Sequence, residues 1–148
     1  MSIEKTFGMI KPEGIERSLI GDIERRICDA ALLIEDKKQI IMNGQQFIAL
    51  YGHIEKTVPQ LYEPMKDYMT TNMVEVLKIS GEDAVKRLLA VRGSSNPKYA
   101  LPGTIRGDYA NDQDYDVLYK QCKPALNVFH ASGSEEEAQR ALEAFFGR

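Results

Sequence analysis

Four short apolar stretches alternating with helical periodicity, in a chain of 148 residues, predict an α+β fold: a ferredoxin-like four-stranded antiparallel sheet (βαββαβ) with added helices. A hydrophobic fraction of 43% supplies one proper core, and the length is short for two, so residues 1–148 read as a single domain. The strands are too few for a doubly wound sheet.

The first element is "KTFGMIKP" (5–12), a strand-like run stopped by Pro12. In "IERSLIGDIERRICDAAL" (15–32), Leu19, Ile23, Ile27 and Ala30 recur at near-helical spacing, which predicts an amphipathic helix with Cys28 on its packed side. "LLIEDKKQIIM" (32–42) predicts a second strand. Short helices follow in "NGQQFIALYGHI" (43–54), with His53 at the surface, and around "QLYEPMKDYM" (60–69). "NMVEVLKIS" (72–80) predicts a third strand with Val74, Val76 and Leu77 inward, and "GEDAVKRLLAV" (81–91) a helix. From Arg92 to Lys123 the pattern breaks into Gly, Pro, Asn, Asp and Tyr, longer than ordinary connections, and its first half reads as functional. "LNVFH" (126–130) predicts the fourth strand and "SEEEAQRALEAFFG" (134–147) the last helix. That helix starts with a capping box from Ser134 and Glu137 and buries Ala138, Ala141, Leu142 and Phe145.

A net charge of −3 gives no global reason to bind nucleic acid or an anionic membrane, so any anion site has to be built locally. The N-terminus "MSIEKTFGMIKP" has no apolar stretch of signal-peptide length, and no run approaches the roughly 18 residues of a membrane span; the chain reads as cytosolic, with no membrane partner. Cys28 and Cys122 stand alone without CxxC spacing, which argues against a disulfide framework or a structural zinc site.

Neither G-x-x-x-x-G-K-[ST] nor G-x-G-x-x-G occurs, so a phosphate site has to use side chains. Asp112, Asp114 and Asp116 alternate as in an EF-hand loop, but Val117 stands where the turn glycine is needed and Lys123 where the bidentate glutamate belongs. They read as a solvated acidic loop. No G-x-S-x-G elbow is present.

The chemistry concentrates around "ALNVFHASGS" (125–134), where His130 ends an apolar run and is followed by small residues. Alone, such a histidine is more often a satisfied core residue than a nucleophile. Its companions change that reading. Arg106 in "PGTIRGD" (102–108) offers a guanidinium shaped to grip phosphate oxygens, Lys11 ends the first strand before Pro12, and Asn127 precedes His130 by three residues. The bland alternatives are a surface ion pair for the two cations and an Asx turn for Asn127.

Together, "MIKPEG" (9–14), "SSNPKYALPGTIRGD" (94–108) and "NVFHASGS" (127–134) resemble the nucleoside diphosphate kinase family, in order and across nearly the whole chain. The resemblance implies a homo-oligomer that transfers the γ-phosphate of a nucleoside triphosphate, typically ATP, to a nucleoside diphosphate. The mechanism is ping-pong, through phospho-His130. A neutral imidazole, of ordinary pKa about 6.5, is nucleophilic at cytosolic pH without a separate strong base. The residues then aim the reactants and neutralise charge, with Mg²⁺ carried on the nucleotide phosphates and no direct protein ligand. The implied nucleotide-binding residues are Lys11, Tyr51, Leu61, Arg92, Ser95, Arg106 and Asn127, with Ser132 and Glu137 in support.

Several positions depart from the family pattern. Leu89 stands where a phosphate-binding arginine is usual, and Arg92, three residues on, is its candidate replacement. The base-stacking aromatic aligns with Leu61, with Tyr62 next to it. Ala141 replaces a glutamate, for which Glu137, one turn earlier, is the substitute if the capping box does not hold it, and Gly133 replaces an aspartate. Ser95 stands for a threonine. The segment "YANDQDYDVLYKQCKPAL", an extended loop at about 109–126, is much longer than usual. The alternative function is a nucleotide-binding regulatory protein with a degenerate, weakly active site. Retention of His130, Lys11 and Arg106 favours the kinase, because a binder needs no nucleophile. A histidine phosphotransfer module is disfavoured, since those histidines sit on helical bundles.

Overall fold

The computed structural model describes residues 3–147. Strand β1 (Ile3–Ile10) runs into a short helix α1 (Pro12–Glu16), with Pro12 at a first-turn position where its missing N–H costs nothing. Ser18, at a φ of 59°, separates α1 from α2 (Ile20–Asp29), so the predicted helix is entered through a break. Ile23 and Ile27 are buried as the spacing requires; Cys28 is exposed, one position past the packed stripe, and the expectation that it packs was incorrect. Strand β2 (Leu33–Ile40) leads to α3 (Gly44–Tyr51), α4 (Ile54–Thr57) and α5 (Pro59–Thr71). Then come β3 (Val74–Glu82) and α6 (Ala84–Arg92).

The stretch expected to be loop holds three short helices: η1 (Pro97–Tyr99), α7 (Ile105–Tyr109) and α8 (Tyr115–Lys120). Asp114 is less solvated than the acidic-loop reading had it. It caps α8, accepts from Asn96 Nδ2 and pairs with Lys98 at 3.3 Å. Strand β4 has only Phe129–Ala131, and α9 (Glu135–Phe146) closes the fold.

The sheet order is β2-β3-β1-β4 with every neighbouring pair antiparallel, the ferredoxin-like arrangement that βαββαβ connectivity produces. Strand alternation sends Phe7, Met9, Val74 and Val76 to one face, against Phe47, Met69 and Phe145 of α3, α5 and α9. Ile10, Leu77 and Ile79 go to the other, against Ile23, Ile27 and Leu88 of α2 and α6. Leu77 is inward as expected, but in a different core from Val74 and Val76. The central strand β1 is thus covered on both sides, and the end of it that meets β4 is where the motif residues gather.

Candidate active site

Asn127, Val128 and Phe129 explain why β4 is so short. Phe129 N donates to Asn127 O at 2.9 Å across Val128, whose φ is 74°, a γ-turn that a β-branched residue adopts only under constraint. The constraint is visible on both sides of the peptide: Lys11 N donates to Val128 O at 2.9 Å, and Val128 N donates to Glu13 Oε2 at 3.0 Å. Past the turn, His130 sits opposite Met9 in the β1–β4 register and lines a cleft of about 320 Å³. That volume lies in the range of small-molecule sites.

Lys11 and Arg106 are almost fully buried, at 2% and 4% exposure. Lys11 Nζ donates to Ala125 O and Asn127 Oδ1, both at 2.9 Å, and lies 3.7 Å from Glu13. Burial lowers its pKa, partly opposed by Glu13. Arg106 uses Nε and Nη2 on Phe129 O (3.2 and 2.8 Å), and Nη1 on Ser95 O (2.6 Å) and Tyr115 Oη (3.3 Å). Of five guanidinium hydrogens only one, on Nη2, is left for a ligand, so Arg106 is first a brace for the β4 backbone and second a positive charge.

His130 meets Tyr51 edge to face at 5.3 Å between ring centroids, and Phe7 at 6.3 Å. Desolvation, then the charges of Arg106, Lys11 and Arg92, push its pKa from 6.5 down to about 3. The imidazole is therefore neutral at physiological pH, with a lone pair available for attack.

Nine of the ten expected site residues line this cleft: Lys11, Tyr51, Arg92, Ser95, Arg106, Asn127, His130, Ser132 and Glu137. Arg92 reaches it from the end of α6, its pKa drawn down to about 10 by burial and then by Arg106, while Leu89 packs on the α2–α6 core instead. Leu61 is the exception. It is 1% exposed inside the α3–α5–α9 core and, unlike the other nine, does not line the cleft. Tyr62 edges onto Phe47 outside the cleft, and that wall is formed by Ile54, Val58 and Met65.

The capping of α9 is also only half as expected. Ser134 Oγ accepts from Glu137 N at 3.1 Å, but the Glu137 carboxylate takes Gly133 N at 2.7 Å and not Ser134 N. Glu137 is thereby fixed at the rim. Ala141 is buried in the core, one turn further on.

Sequence reasoning missed four contributors. His53, exposed as expected, stands on the cleft rim. Glu13 is buried under the γ-turn, its other oxygen accepting from Tyr68 Oη at 2.9 Å. Tyr115 and Tyr119 of α8 stack on each other at 5.3 Å along one wall. The "KPEG" stretch marks Glu13 only as a loop acid, and nothing local distinguishes the two tyrosines from surface aromatics.

A ferredoxin-like sandwich that presents a neutral imidazole among buried cations defines a class of protein built to handle a polyanionic ligand. The sequence matches the nucleoside diphosphate kinase family over residues 4–148, and the chain belongs to that family. It is an enzyme of that kind, a phosphotransferase acting on nucleotides. It is 38% identical over 146 residues to the nucleoside diphosphate kinase of Sulfurisphaera tokodaii, covering 99% of this chain and 90% of that protein. Among solved structures it is similar to the nucleoside-diphosphate kinase of Borrelia burgdorferi, a transition-state mimic with bound vanadate and ADP, at a TM-score of 0.90 and 25% identity, over 97% of this chain and 87% of that one. It is also similar to the enzyme of Halobacterium salinarum in complex with CDP, at a TM-score of 0.83 and 29% identity, over 99% and 90%.

Proposed function

We propose that His130 is the phosphate acceptor of a two-step exchange carried out in one domain spanning residues 1–148. A lone pair of the neutral imidazole attacks the γ-phosphorus of a nucleoside triphosphate. The new N–P bond forms as the bond to the β–γ bridging oxygen breaks, and the diphosphate leaves with that electron pair. A second nucleoside diphosphate then attacks phospho-His130 by the reverse path. The observation that carries this reading is the desolvated imidazole lining the cleft with Lys11, Arg92 and Arg106 around it.

Those cations offset the charge of a loose phosphoryl transition state, and Asn127 and Ser95 offer polar contacts to sugar and phosphate. Tyr51 holds the imidazole edge on, buried Ser132 lines the cleft beside it, and Glu137 stands at its rim. Mg²⁺ would supply further charge neutralisation while bound to the phosphates. The donor set fits delivery on the nucleotide: among the described residues no three His, Cys, Asp or Glu side chains cluster as a metal cage, and the carboxylate lining the cleft, Glu137, is already held by Gly133. Donors directed at sugar and phosphate make the substrates nucleoside di- and triphosphates of varied base.

No helix among the described residues is long and apolar enough to cross a membrane. Cytoplasmic residence is supported by Cys28 and Cys122, both free and exposed, which suits a reducing compartment. Association into a homo-oligomer is supported by the open edge of β2 and by exposed Leu33 and Ile41.

The test is incubation with γ-labelled ATP and Mg²⁺, intact mass, then a chase with GDP, for wild type and His130→Ala. One acid-labile phosphate on wild type that GDP removes as GTP, and none on the variant, is the expected result. Nucleotide binding without transfer to His130 would make the chain a regulatory binder and overturn the mechanism.

A further inference from the structure

Tyr115 opens α8, inside the lengthened segment and outside every motif of the sequence. Its hydroxyl oxygen accepts from Asn127 Nδ2 at 2.7 Å and from Arg106 Nη1 at 3.3 Å. Asn127 in turn accepts from Lys11 Nζ, so the phenol terminates a wired series that begins at a buried ammonium. Two donors occupy the oxygen's lone pairs, which leaves its own hydrogen to be donated elsewhere. Among the described residues no acceptor takes it, and Tyr115 lines the cleft with His130.

We propose that the Tyr115 hydroxyl is a further nucleotide-binding group, donating its hydrogen to a phosphate oxygen of the bound nucleotide. The inference rests on the kinase reading of the cleft and adds a residue to it. Phosphate is favoured over sugar by two features. Arg106 retains a single unused N–H, so an anion here needs another donor. Accepting from a guanidinium and an amide also polarises the phenol O–H toward stronger donation. The Tyr119 ring, stacked at an interplanar angle of 20°, fixes the phenol from behind.

Tyr115→Phe removes one oxygen and keeps that stack. ATP and 2′,3′-dideoxy-ATP are titrated by calorimetry with Mg²⁺ into full-length His130→Ala and His130→Ala/Tyr115→Phe, which bind without turnover, and thermal unfolding of each is recorded. The double variant is expected to bind both ligands about tenfold more weakly, the size of one hydrogen bond to a charged acceptor. Equal affinities overturn the proposal, and with a lowered melting temperature they assign the hydroxyl to packing. A loss seen for ATP alone also overturns it, since the hydroxyl would then read the sugar. Phosphorylation of wild-type His130 is scored separately, so a failure of the kinase reading shows as an unlabelled wild type.

Discussion

The Glu13 carboxylate and the Val128 amide lie 115 positions apart and meet at 3.0 Å, beneath the one turn that aims His130. The same carboxylate serves half-buried Tyr68 and sits beside buried Lys11, so three groups depend on it. Glu13→Ala is expected to lower stability by about 3 kcal/mol in urea unfolding and to slow phosphorylation of His130. A variant of wild-type stability would show that the γ-turn is held by other contacts.

The His130 imidazole is expected to stay neutral far below the usual histidine range. The folded chain takes up its proton only near pH 3, whereas the unfolded chain takes one near 6.5. Stability from this group is thus complete above 6.5 and is lost progressively as pH falls toward 3. NMR of the ring protons of His130, resolved from those of His53 with His130→Ala, should show no titration between pH 8 and about 5. A midpoint between 6 and 7 would contradict the desolvated site.

Glu75, at 3% exposure, has one oxygen near Gln39 and another without a donor, and Oε2 of Glu24 also lacks one; a proton shared between the two carboxyls would satisfy both. Burial first, then Glu24, raises the Glu75 pKa from 4.5 to about 7. The folded state therefore binds more protons than the unfolded state between those values, and stability falls as pH rises through that window. Glu75→Gln should raise the melting temperature relative to wild type by about 3 °C more at pH 8 than at pH 5. An equal difference at the two pH values would exclude the shared proton.

Arg106→Lys keeps a charge but not the fork that serves Phe129 O and Ser95 O. A loss of about 2 kcal/mol is expected in urea alongside the loss of activity. An inactive variant as stable as wild type would mean that the guanidinium acts on substrate alone.

Leu61→Phe tests where base stacking resides. Inside a filled core the larger ring should cost about 1–3 kcal/mol and leave nucleotide affinity unchanged. Tighter binding at full stability would return the position to the cleft.

Periodicity made the element order legible, because Leu19, Ile23, Ile27 and Ala30 together recur at helical spacing, whereas Val74 and Val76 alternate as a strand does. The cleft was legible where motifs carried it: Lys11, Arg106 and His130 come from three separate segments. Leu61 was placed by its distance from the motifs, and nothing in them marks which face of α5 turns to the core. Glu13, Tyr115 and the turn at Val128 were hidden for a different reason. The Val128 N to Glu13 contact spans 115 positions, beyond any local window, and although Tyr115 is only 12 positions from Asn127, no periodicity or motif links the two, so their pairing exists only once the chain has folded.

The register that puts His130 opposite Met9 joins the two ends of the chain. Closing a loop of that span is slow, and the pairing cannot form until the C-terminal strand exists. A chain still being synthesised therefore has most of its sheet and helices available but no nucleophile in place. Phosphoryl transfer should switch on only once β4 has been made and paired, and a copy cut short before His130 would leave the nucleotide pool untouched.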